Sequence, residues 1–272
     1  METGLVLSGG GARGVAQIGL IKALEEFDIE VTHISGSSAG AVIGAMYASG
    51  ASVERMLDFF KSVPIFHFKR YARNKPGFID TMKFYKDFLN FYKEDNFSIL
   101  DKKLFVNTTN LGNGKIEIFE NGELIRPLLA SASIPGIFTP VAFNDGLYAD
   151  GGITNNFPVK PLIPFCDHII GGYVNPLKEI EPNGLKHSYQ VITRAYQISL
   201  DHQCHANFKD CDLVIIPREL ENHGLFSLKN IDKIFEIGYQ ESRKVLKNHT
   251  EKKRKLSNRK IFNLFGKWSN SN

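Results

Sequence analysis

An α/β fold on a mostly parallel sheet, covered on both faces, is predicted by two features of this chain. Short apolar or β-branched runs alternate with helical patterns along most of its length, and two strand–turn–helix units stand back to back at its start. Leu5-Val6-Leu7 reads as the first strand, followed by a glycine turn and a helix to about Phe27 in which Ile18, Ile21, Ala23 and Leu24 recur near helical spacing. Val31–Ser35 reads as the second strand and Ala41–Ala48 as its helix. A helix over 52–63 follows, with Ser52 as N-cap and Glu54 in its first turn. Residues 64–98 are irregular and aromatic. Strands are expected at 103–109 and 115–119, a helix from Glu123 to Ala132, strands near 168–174 and 212–216, and helices around 187–206 and 230–248.

The 272 residues, 43% hydrophobic and 23% charged, suit one domain with a sizeable core, and no apolar run is long enough for a spanning helix. The start, Met-Glu-Thr-Gly-Leu-Val-Leu-Ser-Gly, lacks a basic signal-type opening. Cys166, Cys204 and Cys211 are odd in number and have no CxxC spacing. A cytoplasmic setting with reduced thiols is therefore expected. Cys204-His205 with Cys211 matches no zinc pattern, so no metal and no cofactor are expected.

The net charge of +4 hides an asymmetry. From Glu251 onward the chain carries seven of its 33 Lys/Arg residues against one acid, leaving 26 basic and 28 acidic residues before it. The expected organisation is a domain over 1–249 and a basic tail over 250–272.

The chemistry is concentrated in two glycine-rich turns. Gly36-Ser37-Ser38-Ala39-Gly40 has the G-x-S-x-G spacing of a nucleophile elbow, in which a strand passes into a helix through a strained turn. Glycines at 36 and 40 leave room for that turn, and Ser38 is placed at a helix N-terminus that favours a developing anion. Close strand–helix packing alone would also account for the small residues.

Gly9-Gly10-Gly11-Ala12-Arg13-Gly14 matches the G-x-G-x-x-G dinucleotide fingerprint. That reading requires an acid at the end of the second strand, whereas Glu30 precedes it. Beside an elbow, consecutive glycines at a helix start instead expose the backbone N–H groups of an oxyanion hole. Arg13 either adds positive charge there or anchors the loop to a carboxylate. A serine also needs a base, and Asp150 in Gly146–Gly152 is the candidate, although Asp-Gly-Gly is equally the composition of a β-turn.

GGGARG at 9–14, GSSAG at 36–40, SASIPGIFTPV at 131–141 and DGGITNNFPV at 150–159 resemble, in order and spacing, the patatin-like phospholipase family. The resemblance covers about residues 4–217. It implies a three-layer α/β/α fold and a serine acyl hydrolase acting on phospholipids or related esters. By the same resemblance Ser38 is the nucleophile, Asp150 its base, and the Gly9–Gly14 loop the oxyanion hole with Arg13 in support. Because Ser…Asp…His is the chain order of α/β-hydrolases, a triad through His187, His202, His205 or His223 is the rival. A non-catalytic acyl-lipid-binding regulatory protein on the same fold is the other function class.

Two further segments bear on substrate. Phe84, Phe88, Phe91 and Tyr92 fall on one helical face, suited to an acyl groove or lid, or to plain core packing. The tail pairs Lys252–Lys255, Arg259 and Lys260 with Ile261, Leu264, Phe265 and Trp268. That combination fits peripheral contact with an anionic inner membrane face, or a solvated tail, and not nucleic acid.

Overall fold

A computed structural model describes residues 1–64, 67–225 and 230–268, and describes no side chain at 189 or 252–268. Strand β1 (Thr3–Leu7) is buried throughout and lies between β2 (His33–Ser37) and β7 (His168–Gly172), parallel to both. Two more parallel pairs extend the sheet, β2 with β3 (Lys103–Asn110) and β7 with β8 (Leu213–Ile215). Beyond β3 the pairing reverses: β4 (Ile116–Phe119), β6 (Gly146–Asp150) and β5 (Val141–Phe143) join antiparallel. Hydrogen bonding thus connects the strands along the path β5-β6-β3-β2-β1-β7-β8, with β4 also on β3, and the expected parallel core carries antiparallel strands at one end.

Alternation along β1 assigns the faces. Leu5 and Leu7 enter the main core with helices α1 (Ala16–Glu26), α2 (Ala39–Ala48), α3 (Val53–Ser62), α4 (Tyr85–Tyr92) and α5 (Ile125–Ser131). Val6 points the other way, against Phe157, Val159, Leu162 and Cys204, the last from helix α6 (Ser188–Asn207). The result is a three-layer α/β/α arrangement whose second helical layer is thin. Ser52 caps α3 by accepting from the Arg55 N–H at 3.3 Å, and Glu54 stands in its first turn, as the sequence predicts.

Two boundaries differ from expectation. Strand β2 begins and ends two residues late, because Gly36 and Ser37 stay in the ladder opposite Val106 and Asn107 instead of forming the turn. Helix α7 runs from Ile231 to Trp268, past the end expected for the last helix near residue 248. Its Gly238 lies so close to Ala16 of α1 that an added Cβ would come within 2.0 Å of that carbonyl oxygen. The expected shared face of Ile261, Leu264, Phe265 and Trp268 falls on side chains outside the described residues.

Candidate active site

The sheet brings the two ends of the site together. Asn107 of β3 pairs with Ser37 on one edge and Ile118 on the other, while Thr108 pairs with Asp150 and Glu117. Strands β2 and β6 therefore share one edge of β3, and β6 takes up the ladder where β2 leaves it. Ser38 departs from that edge into α2 with φ 53° and ψ −127°, a left-handed backbone that an L-residue adopts only under strain. Gly36 permits the turn, since a Cβ there would lie 2.6 Å from the Ala41 nitrogen. Gly40 likewise lets α2 approach the end of β1, within 2.3 Å of the Leu7 carbonyl for an added Cβ.

The Ser38 hydroxyl donates to Asp150 Oδ2 at 2.6 Å. The other carboxylate oxygen accepts from the Gly152 N–H at 2.7 Å, and Thr109 and Ser133 hold the Asp150 backbone. Asp150 is 3% exposed. Burial pushes its carboxyl up to about 6, partly opposed by the bonds from Ser38 and Gly152. The result is a carboxylate more basic than usual and still ionised at neutral pH.

The glycine loop divides its tasks. Gly9 is consumed structurally: its N–H donates to the Asn156 carbonyl at 3.3 Å, and its own carbonyl accepts from the side-chain amides of Asn156 and Asn175. Gly14 packs on Ala39, where an added Cβ would meet another at 2.6 Å. Among the described residues, the N–H groups of Gly10 and Gly11 have no protein acceptor. Arg13 is buried and anchors the loop, although to a backbone carbonyl and not to the expected carboxylate: its Nε donates to the His223 oxygen at 2.6 Å. The same residue borders the cleft that Asp150 lines.

Two cavities meet at this point. One, about 890 Å³ with its open mouth, is an apolar channel beginning at Gly11, Ala12 and Ala39 and running between Val42, Phe60, Phe84 and Phe88. The other, about 2010 Å³ with its mouth, is mixed: Arg13, Asp150, Lys178, Arg194 and Tyr196 share its walls with Ile134, Leu177 and Leu200 among others. Burial and the nearby charge of Asp150 hold the Tyr196 phenol protonated. The aromatic face of α4 is split between the two expected roles. Phe84 and Phe88 line the channel, whereas Phe91 packs between Phe59 and Arg55 and Tyr92 is buried.

No histidine borders either cavity or bonds to Ser38 or Asp150 among the described residues. His187 caps α6, His205 lies 3.3 Å from Asp201, and His223 lends its carbonyl to Arg13. Sequence reasoning missed Ser131, whose hydroxyl accepts the Ser38 N–H at 2.9 Å and donates to the Asn107 carbonyl at 2.6 Å. It also missed Asn156 and Asn175. Ser131 and Asn156 lie inside the quoted motifs, which gave position without orientation; Asn175 carries no local signal.

A serine on a strained strand–helix turn, a buried carboxylate and a glycine-rich loop thus stand together on an α/β scaffold, where an apolar channel meets a cleft of mixed lining. Residues 5–163 match the model described as patatin-like phospholipase, and the chain belongs to that family. It is 28% identical over 268 residues to lysophospholipase nte1 of Emericella nidulans, covering 87% of this chain and 17% of that protein. Against lysophospholipase NTE1 of Cryptococcus neoformans it is 34% identical over 174 residues, 59% of this chain and 10% of the other. The chain thus spans under a fifth of the length of these curated relatives. In fold it is similar to VipD from Legionella pneumophila, with a TM-score of 0.54 at 16% identity over 91% of this chain and 67% of that one.

Proposed function

We propose that this chain is a serine acyl hydrolase for phospholipids, lysophospholipids or related acyl esters, working through a Ser38–Asp150 dyad. The 2.6 Å bond from Ser38 Oγ to Asp150 Oδ2 carries this reading. As Oγ attacks the acyl carbonyl, its proton passes to Asp150 and the carbonyl electrons move onto oxygen. The unengaged N–H groups of Gly10 and Gly11 and the N-terminus of α2 stabilise that oxyanion. Collapse expels the alcohol, which takes the proton from Asp150, and leaves the acyl group on Ser38. Water then attacks with Asp150 again as base, releasing the fatty acid. The acyl chain occupies the apolar channel and the polar portion the cleft beyond Asp150. Support comes from the geometry, the family membership and relatives named lysophospholipases.

The protein acts in the cytoplasm, with the 250–272 segment making peripheral contact with an anionic membrane face through its basic residues. The decisive measurement is fluorophosphonate labelling of purified protein together with turnover on a panel of defined lipids. Labelling that survives Ser38→Ala, or labelling without turnover on any acyl ester, would sink the reading in favour of an acyl-binding protein.

A further inference from the structure

Residues 70–80 fold back on themselves as a short arm. The Ala72 N–H donates to the Phe78 carbonyl at 2.9 Å, the Asp80 N–H to the Arg70 carbonyl at 2.8 Å, and Tyr71 bridges Ile79. Its tip turns through Asn74 (φ 53°) and Gly77 (φ 144°). Its root is tied to the mouth of the site, because the N–H groups of Phe78 and Ile79 both donate to the Ile137 carbonyl, at 2.9 and 2.8 Å. Ile137 lines the cleft that Asp150 borders, and its neighbour Phe138 lines the apolar channel.

The arm is apolar where burial would be expected and cationic where it is not. Phe78 is 74% exposed, Phe68 ahead of the arm is 70% exposed, and Tyr71 is 50% exposed. Residues 67–79 carry four Lys/Arg and no acid. Arg70 and Lys75 are paired with Asp87 and Asp80, while Lys69 and Arg73 have no ion-pair partner among the described residues. Among the residues lining the cleft, Ile180 and Ile192 are also exposed.

We propose that the 68–78 arm docks the mouth of the site onto an anionic lipid surface. Exposed aromatic rings with pairs of cations between them match the boundary between acyl chains and charged headgroups. Because the arm is bonded to Ile137, next to the channel residue Phe138, an acyl chain leaving that surface would enter the channel beside the arm. The inference rests on the acyl-hydrolase reading for its choice of lipid over a protein partner, and it is distinct from the contact proposed for the 250–272 segment.

The test uses the full chain, so the tail is common to every sample. Sedimentation is measured with vesicles of phosphatidylglycerol and phosphatidylcholine and with phosphatidylcholine alone, for the unchanged chain, Phe68→Ser/Phe78→Ser and Lys69→Glu/Arg73→Glu. The aromatic double variant is expected to lose about tenfold or more in partition to anionic vesicles. The charge variant is expected to lose affinity for anionic vesicles alone. Hydrolysis of vesicle lipid should fall in step, while turnover of a soluble butyrate ester and fluorophosphonate labelling stay unchanged. Unaltered partition in both variants overturns the proposal, and so does a full chain that ignores vesicles. Loss of a dimer in the aromatic variant, by light scattering, would assign the face to a second copy instead. Failure of the hydrolase reading shows separately, as absent labelling and ester turnover in the unchanged chain.

Discussion

Ser37 and Asp150 occupy successive register positions on one edge of β3, Ser37 opposite Asn107 and Asp150 opposite Thr108. The meeting of Ser38 with a carboxylate 112 residues away therefore follows from strand pairing, not from a flexible side chain reaching across a gap. Placement of this kind is what a dyad needs. In the proposed dyad no imidazole relays the proton, so distance and direction between the two groups would set the rate.

Ser38→Ala and Asp150→Asn are each expected to abolish ester turnover, while His202→Ala and His205→Ala leave it within about twofold. With the Asp150 carboxyl at about 6, kcat/KM should fall tenfold per pH unit below that value and level off above it. A pH–rate profile with a soluble short-chain ester checks both statements. A histidine variant without activity would restore the triad.

The φ of 53° at Ser38 implies stored strain of about 1–3 kcal/mol. Ser38→Gly and Ser38→Ala both remove the bond to Asp150, so their difference isolates the backbone contribution. The glycine variant is expected to be the more stable by about 1 kcal/mol, after the entropy of a freer unfolded chain is subtracted. Urea denaturation of the two proteins measures this, and equal midpoints would place the strain elsewhere.

Ser131 holds the elbow from beneath by accepting the Ser38 N–H and bonding onward to Asn107. Ser131→Ala leaves a buried N–H without an acceptor, at a cost of about 1–3 kcal/mol. Because the acceptor fixes Ser38 and touches no substrate, kcat should fall while KM holds. Kinetics with one soluble ester, alongside a thermal melt, separate the two effects. A change in KM alone would contradict the assignment.

Much of this was legible in the sequence because it is local. Glycine spacing around Ser38 specifies the elbow, and the apolar alternation specifies β1, α1 and α2. Non-local order was not legible. Nothing in Val31–Ser37 says that the ladder continues to Ser37, since this depends on Val106 and Asn107 being offered by β3. Within the glycine loop the sequence could not tell Gly9 from Gly10, because the difference lies in Asn156 and Asn175 closing on Gly9 alone. The aromatic run 84–92 carries one period that serves both core and channel, and only packing against α3 and α5 divides it.

Val42 stands on the wall of the apolar channel one helical turn beyond Ser38. Val42→Phe narrows that channel without touching the dyad. Turnover of a palmitoyl ester should fall about tenfold or more relative to a butyryl ester. Parallel losses on both esters would point to overpacking of the core and would count against the channel as the acyl site.

The buried carboxylate proposed as the base should also cost stability. The Asp150 pKa is about 6 in the folded protein against a reference of 3.8, so between those values the folded state binds the extra proton. Stability from this group is therefore full below about pH 4, declines as pH rises through about 6, and stays reduced at neutral pH. A tenfold difference in proton affinity between folded and unfolded states corresponds to about 1.4 kcal/mol, which sets an upper bound of about 3 kcal/mol. Asp150→Asn removes the charge but turns an amide nitrogen toward either Ser38 or the Gly152 N–H, giving back part of the gain. The variant is expected to melt above the unchanged protein at neutral pH, with the difference shrinking toward about pH 4. Thermal melts across that range decide the point, and a gap that does not depend on pH would mean that Asp150 is not the titrating group.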